Sequence, residues 1–372
     1  MKELREKLHK TIDEYGRTDE RTVAISQELD KLVCEAQKLI IKKGLSYIEA
    51  IEKAKDALLD GIANSDMQIV DFIVYGDDST YENVDKLVSD ERVRNADIIF
   101  GVGGGRAVDT CKVVADKLDK PLFTFPTLGS NCAAVTAICV MYNEDHTFKD
   151  YYYLDKPADH TFIDTQIIAE SPEDLFWAGI GDALSKECEA VYSSQGVNLD
   201  HTPLMGVGIS KVCTEPLIKY GKKALEDCKN NTESEELKQV VLDIIISTGL
   251  VSNLTTTEND YYYNSSLAHA FYNGSTLVEG ARGLHGEVVS FGVLTLLTCA
   301  GEIQKRNEIA EFNKELGLPV CLADLGIDKS GIQTIVDKAV TLVEWNAIKD
   351  RVTKDMFAKA ISDCDDYGMT LK

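Results

Sequence analysis

Along the first half of the chain, short apolar runs alternate with segments whose apolar positions recur at helical spacing. The runs are Ile69 to Val74, Ile98 to Val102, Leu122 to Phe125 and Thr161 to Ile163. They read as buried strands of a parallel α/β sheet joined by crossover helices. Near Pro172 the pattern changes. From Pro172 to Lys372 the spacing is mostly three and four, broken by Gly206, Gly221, Gly249, Gly283, Gly317 and Gly326, which predicts a bundle of helices and no further strands. At the front, Leu4, Leu8, Ile12 and Tyr15 form one helical stripe and Gly16 to Asp19 a turn; Ile25, Leu29, Leu32, Val33 and Ala36 form a second stripe. Two short antiparallel helices are expected there. Leu39-Ile40-Ile41-Lys42-Lys43-Gly44 is the only candidate strand ahead of residue 69, and Ser46-Tyr47-Ile48-Glu49 is a capping-box start for a helix through Leu59. The expected fold class is α/β plus all-α: a helical hairpin over 1–42, an α/β domain over 43–170 and a helical domain over 171–372.

Composition narrows the function classes. The 372 residues suffice for two ordinary domains, and 44% apolar with 27% charged residues describes a soluble globular chain. A formal charge of −23 argues against nucleic acid or an anionic membrane surface as partner, since phosphates require clustered Lys and Arg. The ten cysteines form no CxxC pair or regular framework, and MKELREKLHK lacks the apolar core of a signal peptide. A reducing, cytoplasmic compartment is expected. The longest uncharged stretch, Val288 to Gly301, is shorter than the roughly 20 residues of a membrane helix, so no span is expected.

Two constellations carry chemistry. GVGGGRAVDTCK follows the apolar run Ile98 to Phe100 and leads into helical positions Val108, Cys111, Val114 and Ala115. In such a strand, turn and helix, Gly103, Gly104 and Gly105 let the backbone approach a pyrophosphate. The helix start then offers unpaired N–H groups, and Arg106 can add a charge-assisted contact. Glycine also serves tight turns for purely steric reasons. The second constellation is Asp182, His269 and His285, set in AGIGDAL, AHAFYNG and GLHGEVVSFG. Each alone reads equally well as a cap or core residue. Together, one acid and two imidazoles leave a divalent ion an open position for substrate, which implies catalysis rather than structural support.

The ordered motifs GGGRAVDTCK, FPTLGSNCAAVTAICVMYN, AGIGDALSK, HAFYNG and GLHGEVVSFGVL resemble the glycerol dehydrogenase group of the iron-containing alcohol dehydrogenase family, over about residues 44 to 372. The resemblance implies a Rossmann-like domain, a helical metal-binding domain in a dehydroquinate synthase-like fold, and hydride transfer at a cleft between them. It implies NAD as cofactor, with NADP an alternative, and Zn2+ or Fe2+ held by Asp182, His269 and His285. Cofactor contacts fall on Gly104, Gly105, Arg106, Thr127, Ser130, Thr136, Ile138 and Tyr142. Asp109 and Lys112 complete the glycine motif, one as a support for the helix and the other as a solvated residue. The metal would stabilise the substrate alkoxide, and no side-chain general base is evident. A homo-oligomer is expected by analogy.

This chain departs from the family pattern in three places. Cys132 stands where glycerol dehydrogenases carry an Asp that bonds the glycerol hydroxyls, and a thiol is a weak donor and acceptor. Relatives with a similar Cys-Ala-Ala segment resemble hydroxycarboxylate dehydrogenases, which reduce 2-oxo acids; a small buried Cys is the plain alternative. No Asp or Glu ends the Leu39 to Gly44 segment to hold the adenosine ribose. Finally, Ser26-Gln27-Glu28-Leu29-Asp30 resembles the SQELD signature of sporulation-control aspartyl phosphatases. That likeness implies that Ser26 and Asp30, four apart on one helix face, meet a phosphorylated response regulator. Expected substrates are a small alcohol, a polyol or a 2-oxo acid.

Overall fold

The computed structural model describes residues 55–56, 58–63 and 67–372. The N-terminal helical stripes, the SQELD segment and the Leu39 to Glu49 elements lie outside the described residues. The chain divides into two compact units: residues up to Phe125 with Cys139–Tyr152, and Pro126–Ile138 with Tyr153–Lys372.

The first unit holds α1 (Tyr81–Ser89), α2 (Glu91–Asn95), β1 (Ile99–Gly103), α3 (Gly105–Lys117) and β2 (Leu122–Pro126), followed by β3 (Ile138–Tyr142) and β4 (Phe148–Tyr153). Thr80 and Asp90 side chains accept from backbone N–H groups at the starts of α1 and α2, satisfying donors that a helix start leaves unpaired. β1 and β2 are parallel neighbours joined through α3, which buries Val108, Val113, Val114 and Ala115. β3 and β4 pair as a hairpin closed by the Asn143 to Thr147 hydrogen bond. The hairpin escaped the hydrophobic reading, although its aromatic FKDYYY composition suits a strand. Ile69 to Val74 corrects the opposite way: no strand forms there, and Val70, Phe72 and Val74 are exposed. An apolar run becomes a strand only where a neighbour supplies backbone partners, and none among the described residues does so.

The second unit is helical, as the spacing predicts. After a two-residue strand β5 (His160–Thr161) come α4 (Thr165–Ala169), α5 (Glu173–Ala183), α6 (Ser185–Ser193), α7 (His201–Ser210), α8 (Thr214–Lys229) and α9 (Glu235–Leu242). A π-helical turn, Asp243–Ser247, leads into α10 (Thr248–Thr255). The remainder is α11 (Leu267–Ser275), α12 (His285–Ala300), α13 (Ile303–Leu316), α14 (Ile332–Ala339), α15 (Val343–Asn346) and α16 (Lys354–Thr370). α12 is the central helix, packed by α5, α6, α11, α13 and α16. Its apolar character on all sides follows from that position. The 21-residue helical stretch Glu235–Thr255 is long and apolar enough to cross a membrane by length and composition, yet Leu237, Val240, Val241, Ile244, Ile245 and Val251 are buried inside this unit. The glycine reading is half corrected. Gly317 and Gly326 do end helical segments with positive φ, and Gly283 precedes α12. Gly206, Gly221 and Gly249 instead lie inside α7, α8 and α10; neighbours press too closely for a side chain at Gly206 and Gly249, and the Phe312 ring lies tight against Gly221.

Candidate functional site

Three glycines set the spacing of the site. A Cβ at Gly181 would lie 2.5 Å from the Gly286 carbonyl oxygen, and one at Gly286 would lie 1.9 Å from that of Ala178. α5 and α12 therefore meet backbone to backbone, which only glycine permits. That crossing brings Asp182, near the end of α5, to His285, the first residue of α12, with Oδ1 and Nε2 3.2 Å apart. α11 adds His269, whose Nε2 is 3.6 Å from the same oxygen. One ligand atom from each residue falls within 4.8 Å of the others. A Cβ at Gly179 would lie 2.1 Å from the Gly129 oxygen, so the loop carrying Ser130 rests on α5 three residues before Asp182.

The electrostatics favour a cation. Asp182 Oδ1 is buried with no well-formed hydrogen bond, and the His285 and His269 Nε2 atoms lie beside it at 3.2 and 3.6 Å. Burial by itself would raise the Asp182 pKa, but the adjoining His285 and His269 imidazoles hold it well below the usual carboxylate range. Burial opposes a charged His269; the Glu189 carboxylate, helped by Asp182, overrides it and raises that imidazole to about 10. A divalent ion would take the place of the imidazole protons that face this oxygen. One carboxylate and two imidazole nitrogens form a donor set suited to Zn2+ or Fe2+, so the residues present fit such an ion.

Two neighbours were missed from sequence. Glu189 on α6 is fully buried; its Oε2 accepts from His269 Nδ1 at 2.6 Å, and its Oε1 accepts from the backbone N–H groups of Ser266 (2.7 Å) and His269 (3.0 Å). Its signal was spacing: Asp182, Lys186 and Glu189 lie four and three apart, on one face of the nearly continuous α5–α6. Buried Lys186 donates to Asn264 Oδ1 at 2.6 Å. The second is Tyr272, three residues after His269, whose ring meets the His285 ring edge-on at 4.3 Å.

The glycine turn adopts the anticipated geometry within the first unit. Gly103 has φ 144°, and Gly104 precedes α3 without a side-chain cap, as a helix start that receives an anion requires. These features fit a phosphate-bearing cofactor. Arg106 lies over the Tyr142 ring at 4.7 Å and reaches buried Asp78 at 3.0 Å, while His146 Nδ1 meets the same Asp78 oxygen at 2.8 Å. Asp109 turns inward: it pairs with Lys112 at 2.8 Å and accepts from Val140 N at 3.0 Å, tying α3 to β3. Lys112 is thus a buried residue, not a solvated one; an ammonium this deep requires the carboxylate beside it. In the second unit, Thr127 and Ser130 are half-buried in the loop after β2, and buried Thr136 reaches the Ile138 carbonyl oxygen at 3.2 Å. Cys132 precedes a 3-10 turn, Ala133–Val135, and a Cβ at Gly249 would lie 3.4 Å from its own Cβ. The nine described cysteines are all free.

Comparison with known proteins agrees with this arrangement. The pattern for iron-containing alcohol dehydrogenase matches residues 21–165, and that for Spo0E like sporulation regulatory protein matches residues 1–38. A glycerol dehydrogenase of Thermotoga maritima is 32% identical over 306 residues, covering 79% of this chain and 80% of its own length. Hydroxycarboxylate dehydrogenase A of Escherichia coli is 30% identical across 65% of this chain and 66% of its own. The crystal structure of glycerol dehydrogenase from Schizosaccharomyces pombe superposes with a TM-score of 0.75 at 24% identity, covering 86% of this chain and 82% of its own, and so shares the fold. By that identity and coverage, the chain belongs to the iron-containing alcohol dehydrogenase family of oxidoreductases.

Proposed function

We propose that this protein is a metal-dependent, NAD-linked dehydrogenase of a small alcohol or polyol, of the glycerol dehydrogenase kind. The carrying observation is the buried Asp182 oxygen facing the Nε2 atoms of His269 and His285 on a family backbone. Asp182, His269 and His285 would hold the ion, which when bound polarises the substrate oxygen as a Lewis acid. Gly103, Gly104 and Gly105 with the α3 start would receive the cofactor pyrophosphate, and Arg106 would turn from Asp78 toward it. The chain's own share is orientation of the substrate oxygen and exclusion of water. The test is NADH oxidation by zinc-loaded protein offered dihydroxyacetone, 2-oxobutyrate or 2-oxoglutarate, with an Asp182→Ala, His269→Ala double variant as control. Turnover that requires both ligands is expected; turnover unchanged in the double variant would overturn the reading.

A second substrate class has its own support. Cys132 removes an acid from the loop, and Lys186, one helical turn beyond Asp182, is a buried ammonium bonded to a neutral amide. A buried cation in that state favours an anionic group nearby. A 2-oxo acid substrate would place its carboxylate there, in line with the 30% identity to hydroxycarboxylate dehydrogenase A. Lys186→Gln should then raise KM for 2-oxobutyrate at least about tenfold and leave dihydroxyacetone unaffected; equal effects on both dismiss this class. Separately, the match over residues 1–38 supports a phosphatase-like contact with a response regulator through Ser26 and Asp30. Loss of phosphorylated receiver in the presence of this protein, abolished by Asp30→Ala, would establish it, and no loss would remove it.

A further inference from the structure

We infer that Glu189 is the outer carboxylate of the metal centre, a positioning residue that sets metal affinity through His269. The inference rests on the metal-site reading above and extends it to a residue outside the ligand set. Burying a carboxylate costs several kcal/mol unless its oxygens are occupied. Here all the compensation comes from the segment that presents His269: Oε1 takes the N–H groups of Ser266 and His269, and Oε2 takes the ring Nδ1–H. α11 begins at Leu267 with no side-chain cap from Ser266, so Glu189, from a different helix, supplies the cap. One side chain thereby fixes the backbone of the ligand, its ring plane and its tautomer. With Nδ1 committed as donor, the nitrogen left to bind an ion is Nε2, which faces Asp182 Oδ1.

The other imidazole lacks this arrangement. His285 is about half exposed, its Nε2 meets Asp182, and its second neighbour is the Tyr272 ring rather than a carboxylate. His269 is the anchored ligand and His285 the adaptable one.

The experiment is Zn2+ affinity, by competition with a chromogenic chelator, for wild type, Glu189→Gln, His269→Ala and the double variant. Gln keeps the size but has a single acceptor oxygen for three donors, and its amide hydrogens oppose Nδ1–H. Affinity should fall about 10- to 100-fold in Glu189→Gln. In the His269→Ala background the same change should make no difference, because its route to the metal is already gone. An equal fall in both backgrounds, or wild-type affinity in Glu189→Gln, overturns the proposal. If His269→Ala binds zinc as wild type does, the metal-site reading itself fails, which is a separate result. Should Glu189→Gln not fold, spectra of zinc-loaded wild type with nitrogen-labelled histidine decide the matter. One ring N–H, that of His269, should be protected from solvent exchange; a His269 Nδ1–H that exchanges as fast as that of His285 refutes the anchoring.

Discussion

Each unit contains an acid taken out of water, and the two are driven in opposite directions. At Asp109 in the sheet unit, burial outweighs the Lys112 ammonium and pushes the pKa up. At Asp182 in the helical unit, two imidazoles outweigh burial and hold it down. Asp109 is paired within its own helix and bonded to a strand, and its partner is a lysine rather than an imidazole. Asp182 faces partners that can surrender protons and offer lone pairs. Burial of an acid therefore says little about function until the chemistry of its neighbours is known: a closed pair supports the fold, and an open cluster of donors receives something.

Substitutions can break this contrast. The largest effect is expected from Asp182→Ala, which should weaken Zn2+ binding by at least about 1,000-fold and abolish turnover; chelator competition and a turnover assay test the two parts. Lys112→Met should do the reverse, costing about 3–5 kcal/mol of folding stability in denaturant titration by stranding Asp109, with zinc affinity retained in the protein that remains folded. Gly286→Ala sits between them. The α5–α12 crossing must open to admit the methyl group, so a stability loss of about 1–3 kcal/mol should accompany a clear loss of zinc affinity.

The smallest effect sharpens the comparison with a third acid. Asp243, in the π-helical turn, is pushed up to about 7 by burial, with the Ser247 hydroxyl pulling slightly the other way. Its folded value is raised, so the folded protein keeps a proton that the unfolded chain releases from about pH 4 upward, and stability falls as pH rises through 7. Asp243→Asn should match wild type near pH 4 and gain on the order of 2 kcal/mol over it at pH 8, read from unfolding curves at the two pH values.

The three residues that the structure brings together, Asp182, His269 and His285, were legible because each stood out: an acid or imidazole amid glycine and apolar residues. The central helix was legible for the same reason, as an uninterrupted apolar stretch. Glu189 was hidden by its setting: helical spacing put it on the face of Asp182, but the donors that justify burying it lie 77 and 80 residues away. The interior glycines were hidden differently. Gly206, Gly221 and Gly249 break the apolar pattern just as terminal glycines do, and only the packing partner separates a helix end from a close approach. Ile69 to Val74 shows the converse limit, because an apolar run says nothing about whether a neighbouring strand exists to pair with it.

The glycine crossing of α5 and α12 also bears on time rather than affinity. Where backbone touches backbone, the spacing of the helices that carry Asp182 and His285 is fixed, and only the side chains are left to adjust. An ion held there would leave through the exposed His285 side, since a rotamer change is far faster than the collective motion that parts two helices. The residence time of a metal should therefore follow the side-chain motion of His285 and not the breathing of the helical core.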